Sequence, residues 1–541
     1  MRIRLLIGMV LFSLGISAQE IADGVYWIYF TDKAGTGYGI NQPEEFLSER
    51  SVNRRALQDL PIDRWDLPVN QDYVQEISDL GVEVRHVSRW LNGIAMTSMD
   101  AISFQQVLDL NFTDTVPWFP ETDDLFFPQP GGAPRFEAPL DTPPGYDYGI
   151  AFEQVTMLQT DLLHELGYTG KGVWIGVLDG GFRNVDSLPS FETMINEGRI
   201  LETRNYVNDL SVYRLSSDHG MKVLSTMGGE WNGNMVGTAP HASYLLCSTE
   251  DSDRETRIEE IAWIEAAEYA DSLGVDVINT SLGYSYFDGN SYDYTYRDMD
   301  GKTTFISRAA SLTASRGMVT CNSTGNEGDD SWYYITAPAD AFNILTVGAV
   351  NSTNQIAPFS SRGPTFDARI KPDVTAMGVS SGVQSIQGGV TSINGTSFAS
   401  PILAGSVASL WQAYPELPAR ELIHMVRQSG DRQKNPDSTY GFGLPNFSQA
   451  YHAITSVPVR FEAGELELWP NPARDHLMIR IPEEIYEEQE IRFYDMQGRI
   501  NCTAWSGLPG EIALPETLGN GIYIVEIRTG STIYRNRLIV Q

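Results

Sequence analysis

From Tyr148 onward the sequence alternates between two kinds of segment, and this alternation limits the possible folds more than any other feature. Short apolar runs of strand length, "VWIGVLDGG", "SYLLCS", "VDVINTSLG", "GMVTCNSTGN" and "NILTVGAV", each carry Gly, Asp, Ser or Asn at their ends. Between several of them lie stretches such as "RIEEIAWIEAAEYADSLG" and "TFISRAASLTASRG", whose apolar residues recur at helical spacing. Continuous apolar strands separated by helices predict an α/β domain, a parallel sheet with helices on both faces. In open sheets of this kind, ligands collect beyond the carboxyl ends of the strands. Asp179, Ser281 and Asn326, at the ends of three runs, are therefore the first site candidates.

A chain of 541 residues exceeds one such domain. From Gly24 to about Leu110, the strand-like "YWIYF", the basic helical "FLSERSVNRRAL" and "DYVQEISDLGVEVRHVSRWLNGIAMTSM" predict a small α+β unit. Pro117 to Pro144 contains eight prolines, a composition of extended linker. After Gly464, short alternating runs divided by Pro and Gly turns predict a small all-β sandwich. The expected division is an N-terminal signal segment at 1–18, an α+β unit at 19–116 and a linker at 117–147. The α/β domain follows at 148–455, then a linker at 456–464 and the β-sandwich at 465–541.

The opening pairs Arg2 and Arg4 with an apolar run from Leu5 to Ile16 and small residues Ser17 and Ala18, the pattern of a secretory signal peptide. No later segment reaches the roughly 20 uncharged apolar residues of a transmembrane helix. Cys247, Cys321 and Cys502 are odd in number and read as buried thiols, not a disulfide framework. Seventy acidic against 37 basic residues give a net charge of -33, which repels phosphate backbones and disfavours nucleic acid as a partner.

The stretch "INGTSFASPILAGSVASLW" places Ser397 where a helix begins. Taken alone, such a serine is an ordinary cap. Serine catalysis also requires a base, a carboxylate that orients the base, and donors for the oxyanion, and each has a candidate here. Asp179 ends a buried strand, His219 stands in "SSDHGMKVLSTMGG", and Asn326 in "STGNEG" offers a side-chain N–H. The Ser397 N–H and the positive helix end would point at the same spot. Pro401 supports a helix start close to Ser397, because proline is tolerated near the first turn. The chain order Asp, His, Ser is that of subtilisin, while G-T-S-F-A lacks the second glycine of a nucleophile elbow.

With "GVWIGVLDGGF", "DHGMKVLS", "VINTSLG", "STGNEG", "FSSRGP", "NGTSFASP" and "YGFGLPN" in order, the region from about Tyr148 to Ala450 resembles the subtilases, subtilisin-like serine peptidases. The resemblance implies Asp179, His219 and Ser397 as catalytic triad and Asn326 as oxyanion donor. It also implies Ser281, Leu282 and Gly283 as the extended segment that pairs with substrate backbone. Two departures stand out: Gly180 where the family has Ser or Thr, and Met221–Lys222 within its H-G-T-H-V pattern. The α+β unit resembles a subtilase propeptide, an intramolecular inhibitor. The tail resembles the C-terminal sorting domain of the type IX secretion system of Bacteroidota, which implies secretion machinery as a partner and a secreted or surface location.

The expected function is that of a secreted serine endopeptidase acting on protein or peptide substrates, with no cofactor required. A catalytically silent surface protein of the same fold, and a peptide ligase using the same triad, are the alternatives. Calcium is a common structural ion of the family, yet no ligands are assignable, and "DMDGKT" fails EF-hand spacing. The tyrosines of "GYSYFDGNSYDYTYRDMDG" read first as loop packing and second as a wall of the substrate groove.

Overall fold

The computed structural model describes residues 18–22, 24–97, 101–114, 145–289, 292–456, 466–480, 485–494, 500–508, 510–515, 518–519, 521–529 and 532–540. The expected signal peptide, but for Ala18, and nearly all of both expected linkers lie outside these residues. The chain forms two compact units, Met1–His452 and Ala453–Gln541.

At the start of the first unit, strands β1 (Ala18–Ala22), β2 (Val25–Phe30), β3 (Glu83–Ser88), β4 (Gly93–Thr97) and β5 (Thr113–Asp114) form one antiparallel sheet. Helices α1 (Glu49–Leu57), α2 (Gln71–Asp79) and α3 (Ala101–Leu108) accompany it. Every residue of β2 is buried, because both of its faces are covered. Tyr26, Ile28 and Phe30 pack with Val69, Ile77, Phe104 and Val107, whereas Trp27 and Tyr29 join the core of the domain that follows.

That domain is built on seven parallel strands: β6 (Trp174–Asp179), β7 (Ile200–Asn205), β8 (Ser243–Ser248), β9 (Val277–Thr280), β10 (Val319–Ser323), β11 (Leu345–Val350) and β12 (Val374–Met377). Their spatial order is β12-β11-β10-β9-β6-β8-β7. The chain order reverses beside β6, which makes the carboxyl end of that strand the switch point where such sheets bind ligands. Helices α4 (His219–Gly228), α5 (Ile258–Leu273), α6 (Phe305–Ser315) and α7 (Thr396–Ala413) cover the sheet. Ile261, Trp263 and Ile264 of α5 and Phe305 and Ile306 of α6 share a core with Leu178, Leu245 and Ile278. All residues of α7 are buried, which explains why its sequence is apolar all round instead of striped.

The second unit holds two antiparallel sheets, of strands 467–469, 476–480 and 510–513, and of strands 485–494, 500–508, 521–529 and 532–540. Leu468, Leu477, Ile479 and Ile512 from the first meet Ile491, Phe493, Val525 and Ile527 from the second in one apolar cluster, as a sandwich requires. Among the described residues no helix is long and apolar enough to cross a membrane.

Candidate active site

Asp179 is the last residue of β6, fully buried, and level with Ser248 at the end of β8. Its Oδ1 accepts the Gly180 N–H at 2.7 Å and stands 2.7 Å from His219 Nδ1. The imidazole belongs to the first residue of α4, and that helix comes close to β6 only because residue 220 is glycine. A Cβ on Gly220 would sit 2.6 Å from the Gly181 carbonyl oxygen and 2.9 Å from Asp179 Cβ. A carboxylate can only accept, so Nδ1 carries the proton and Nε2 keeps its lone pair as a base. Burial acts to lower the His219 pKa, but the charge and hydrogen bond of Asp179 outweigh it and the net shift is upward.

Ser397 is the second residue of α7 and is 8% exposed. Its hydroxyl donates to the Ser281 carbonyl at 3.3 Å, and its own carbonyl accepts the Ser281 hydroxyl at 2.8 Å. The helix begins beside Ser397 as expected, but Pro401 lies inside it, in the second turn and not near the first. Its physical role is local. In a regular helix the N–H of residue 401 would bond the carbonyl of Ser397, but proline has no N–H, and the Ser281 hydroxyl fills the vacant acceptor. The two serines thereby lock the start of α7 to the segment leaving β9. His219 reaches the same place from α4, with its ring 5.9 Å from that of Phe398, the residue after Ser397.

Asn326 follows β10 and is exposed. Its Oδ1 accepts the Thr396 N–H at 2.9 Å and the Thr396 hydroxyl at 3.0 Å. A backbone N–H can only donate, so this pairing fixes the amide with Oδ1 toward α7 and leaves Nδ2 as its free donor end. The ladder of β9 ends at Thr280, and the next backbone tie joins Tyr284 to Ala337. Leu282 and Gly283 lie between, along a cleft of about 520 Å³ that Asp179, His219 and Ser281 also line.

Both departures from the family pattern have local accounts. With glycine at 180, Asp179 Oδ2 is buried without a hydrogen-bond partner. Met221 is buried, and Lys222 pairs with Asp218 at 2.7 Å, its charge acting against the upward shift of the His219 pKa. The tyrosine loop is largely packing: Tyr284 and Tyr294 are buried and donate to Glu250 and Glu260 at 2.7 Å each, whereas Tyr286 is 52% exposed. Sequence reasoning missed two features. Asn279 supports the clasp, donating to the Ser281 hydroxyl at 3.2 Å and accepting from Ser400 at 2.9 Å. Along the cleft, carboxylate oxygens of Glu250, Glu255 and Glu259 lie within 4.8 Å of one another. Glu250, Glu255 and Glu259 stand in "STEDSDRETRIEE", and its position just after a site-bearing strand is the signal that could have found them.

Three family profiles match this chain. They are described as a peptidase S8 propeptide domain of Bacteroidota over residues 25–125, the subtilase family over 170–443 and a secretion system C-terminal sorting domain over 467–541. The chain is 30% identical over 320 residues to serine protease AprX of Bacillus subtilis (strain 168), covering 54% of this chain and 67% of that protein. It is 31% identical over 303 residues to subtilisin E of the same organism, covering 55% and 70%. It is also similar to the solved MycP3 protease from the type VII (ESX-3) secretion system, at 19% identity and a TM-score of 0.45 over 61% of this chain and 98% of that one. The tail is therefore a type IX sorting domain, which marks a secreted or cell-surface protein, and the N-terminal α+β unit is a peptidase propeptide. Since the family profile spans the sheet and helices that bear Asp179, His219 and Ser397, the chain belongs to the subtilase family and is a subtilisin-like serine peptidase.

Proposed function

We propose that this peptidase is a secreted endopeptidase that cleaves peptide bonds through an acyl-enzyme on Ser397. His219 Nε2 takes the Ser397 proton, Ser397 Oγ attacks the carbonyl, and Asp179 steadies the imidazolium. Asn326 Nδ2 and the Ser397 N–H hold the oxyanion, and water then releases the acyl group. The observation that carries this reading is the 2.7 Å pairing of buried Asp179 with His219 Nδ1 beside the start of α7. The substrate runs as an extended strand along Leu282 and Gly283. The chemistry uses side chains, backbone and water and calls for no cofactor. The propeptide acts as an intramolecular inhibitor until cleaved, and the sorting domain is read by the type IX machinery.

A fluorophosphonate probe tests the reading, because only a base-activated hydroxyl labels rapidly. Protonation of Nε2 removes the base, and Asp179 raises the His219 pKa, so labelling of Ser397 in the processed enzyme should fall as pH drops through a value above about 6.5. Absence of labelling, or a rate flat from about pH 5 to pH 9, contradicts the triad. Asn326→Ala should lower kcat by about 10²–10³ with little change in KM, since its donor serves charge that develops only in the transition state. That magnitude is the one established in subtilisin itself. Steady-state kinetics check it, and a loss below about threefold removes Asn326 from the oxyanion site.

A further inference from the structure

We propose that the acidic wall of the cleft selects substrates with a Lys or Arg side chain within a few residues of the cleaved bond, a specificity that rests on the triad reading above. The wall is formed by Glu250, Asp251, Asp253, Glu255, Glu259 and Asp288, and Arg254 is the one Lys or Arg among the cleft-lining residues. It faces the same space as His219 and the Leu282–Gly283 segment. Neutral donors satisfy its inner members. Glu259 accepts the N–H groups of Asp251 at 2.8 Å and Thr256 at 2.7 Å, and Glu250 accepts the hydroxyls of Tyr284 at 2.7 Å and Thr249 at 2.8 Å.

The nearby cations are committed elsewhere. Arg257 donates to the Tyr292 carbonyl at 2.9 Å and lies 4.3 Å over the Tyr294 ring, and Lys222 is paired with Asp218. A second, independent observation concerns the inner end of the wall, where Asp179 Oδ2 is buried and has no hydrogen-bond partner. Carboxylates thus run from Asp179, which is paired with His219, to the exposed Glu255 with Arg254 as the one Lys or Arg among them, and an ammonium or guanidinium group entering the cleft would offset the excess of acid.

The crowding also sets a pH dependence. Desolvation in the cleft is the main cause, reinforced by neighbouring carboxylates and partly offset at Glu250 and Glu259 by the hydrogen bonds they accept, and it pushes Glu255 up to about 7, Glu250 to about 8 and Glu259 to about 9. The charged and titratable groups facing them are Asp179 from β6, His219 from α4, Asp251, Asp253 and Arg254 from the loop after β8, and Asp288 and Tyr284 from the loop after β9. Protonating the three glutamates weakens the attraction of the wall for a cation, so preference for a basic side chain should strengthen as pH rises.

A positional-scanning peptide library, cleaved by the processed enzyme, identifies the position. A matched pair of peptides then differs only by lysine against norleucine there. The expected ratio of kcat/KM, lysine over norleucine, is about tenfold or more near pH 9, is several-fold smaller near pH 6, and drops in Glu255→Gln and Asp253→Asn. Both peptides use the same His219 and Ser397, so the ratio cancels titration of the triad. Cleavage of neither peptide by the wild type would refute the triad reading; cleavage of both at a ratio near one at every pH would refute the acidic wall alone. A ratio near one together with a calcium-induced rise in Tm that Glu255→Gln removes would identify the glutamates as a metal site instead and overturn the proposal.

Discussion

Replacing Ser397 by alanine is expected to lower kcat by about 10⁶, the size of loss that removing the nucleophile causes in subtilisin itself. The precursor should also remain uncleaved if processing is autocatalytic, keeping the propeptide covalently attached. The substitution is gentle on the fold. The Ser397 hydroxyl makes one weak bond, to the Ser281 carbonyl at 3.3 Å, while the clasp through its backbone carbonyl survives. An unchanged unfolding temperature with no detectable turnover is thus the expected pair of results. Residual kcat above about 10⁻⁴ of the wild type would contradict Ser397 as nucleophile.

The α/β domain was legible because parallel strands buried on both faces leave a strong mark. "VWIGVLD" and "NILTVGAV" cannot alternate polar and apolar residues when helices cover both sides. The site was legible for a related reason: Asp179, Ser281 and Asn326 are polar residues at or just past the ends of apolar runs, where a parallel sheet gathers its loops. The clasp between Ser281 and Ser397 was not legible. It depends on a missing N–H at Pro401 and on an approach between two segments 116 residues apart, neither of which local spacing encodes. The acidic wall was hidden because a charged loop looks the same whether it faces bulk water or a cleft.

The seat of the propeptide was hidden for a similar reason. Glu265, Glu268 and Asp271 follow one another at helical spacing on α5 and resemble a solvated face, yet each is taken by the propeptide. His86 Nδ1 lies 2.8 Å from Glu265, and Glu268 accepts the backbone N–H groups of Arg89 and Trp90 at 3.0 Å each. Asp271 is contacted by Arg54, Arg55 and Arg89 together, all of these side chains being nearly or fully buried. A reciprocal contact runs the other way, from Arg316 at the end of α6 to Asp63 and Asp66 at 3.1 Å each. Burial alone would raise the Asp66 pKa, but Arg316 and Arg55 hold it well below the usual carboxylate range. The basic "SERSVNRR" and the acids of α5 are complementary in charge, a clue that single-segment reading does not use.

Asp271→Asn should therefore cost the uncleaved precursor about 3–5 kcal/mol of stability, because it leaves three buried guanidinium groups with one fewer anion among them. Asparagine has nearly the same shape, so the loss isolates charge from packing. Its amide also turns one acceptor into a donor facing other donors. The background for the measurement is Ser397→Ala, which keeps the propeptide attached when processing is autocatalytic and is expected to prevent digestion of unfolded chains. Urea unfolding of Ser397→Ala with and without Asp271→Asn reads the difference directly. In the processed enzyme freed of its propeptide the same substitution should be near neutral, since Asp271 then faces water and has lost its arginines. A precursor destabilised by less than about 1 kcal/mol would mean that the buried carboxylate contributes little and that the apolar contacts of Trp27 and Trp90 seat the propeptide by themselves.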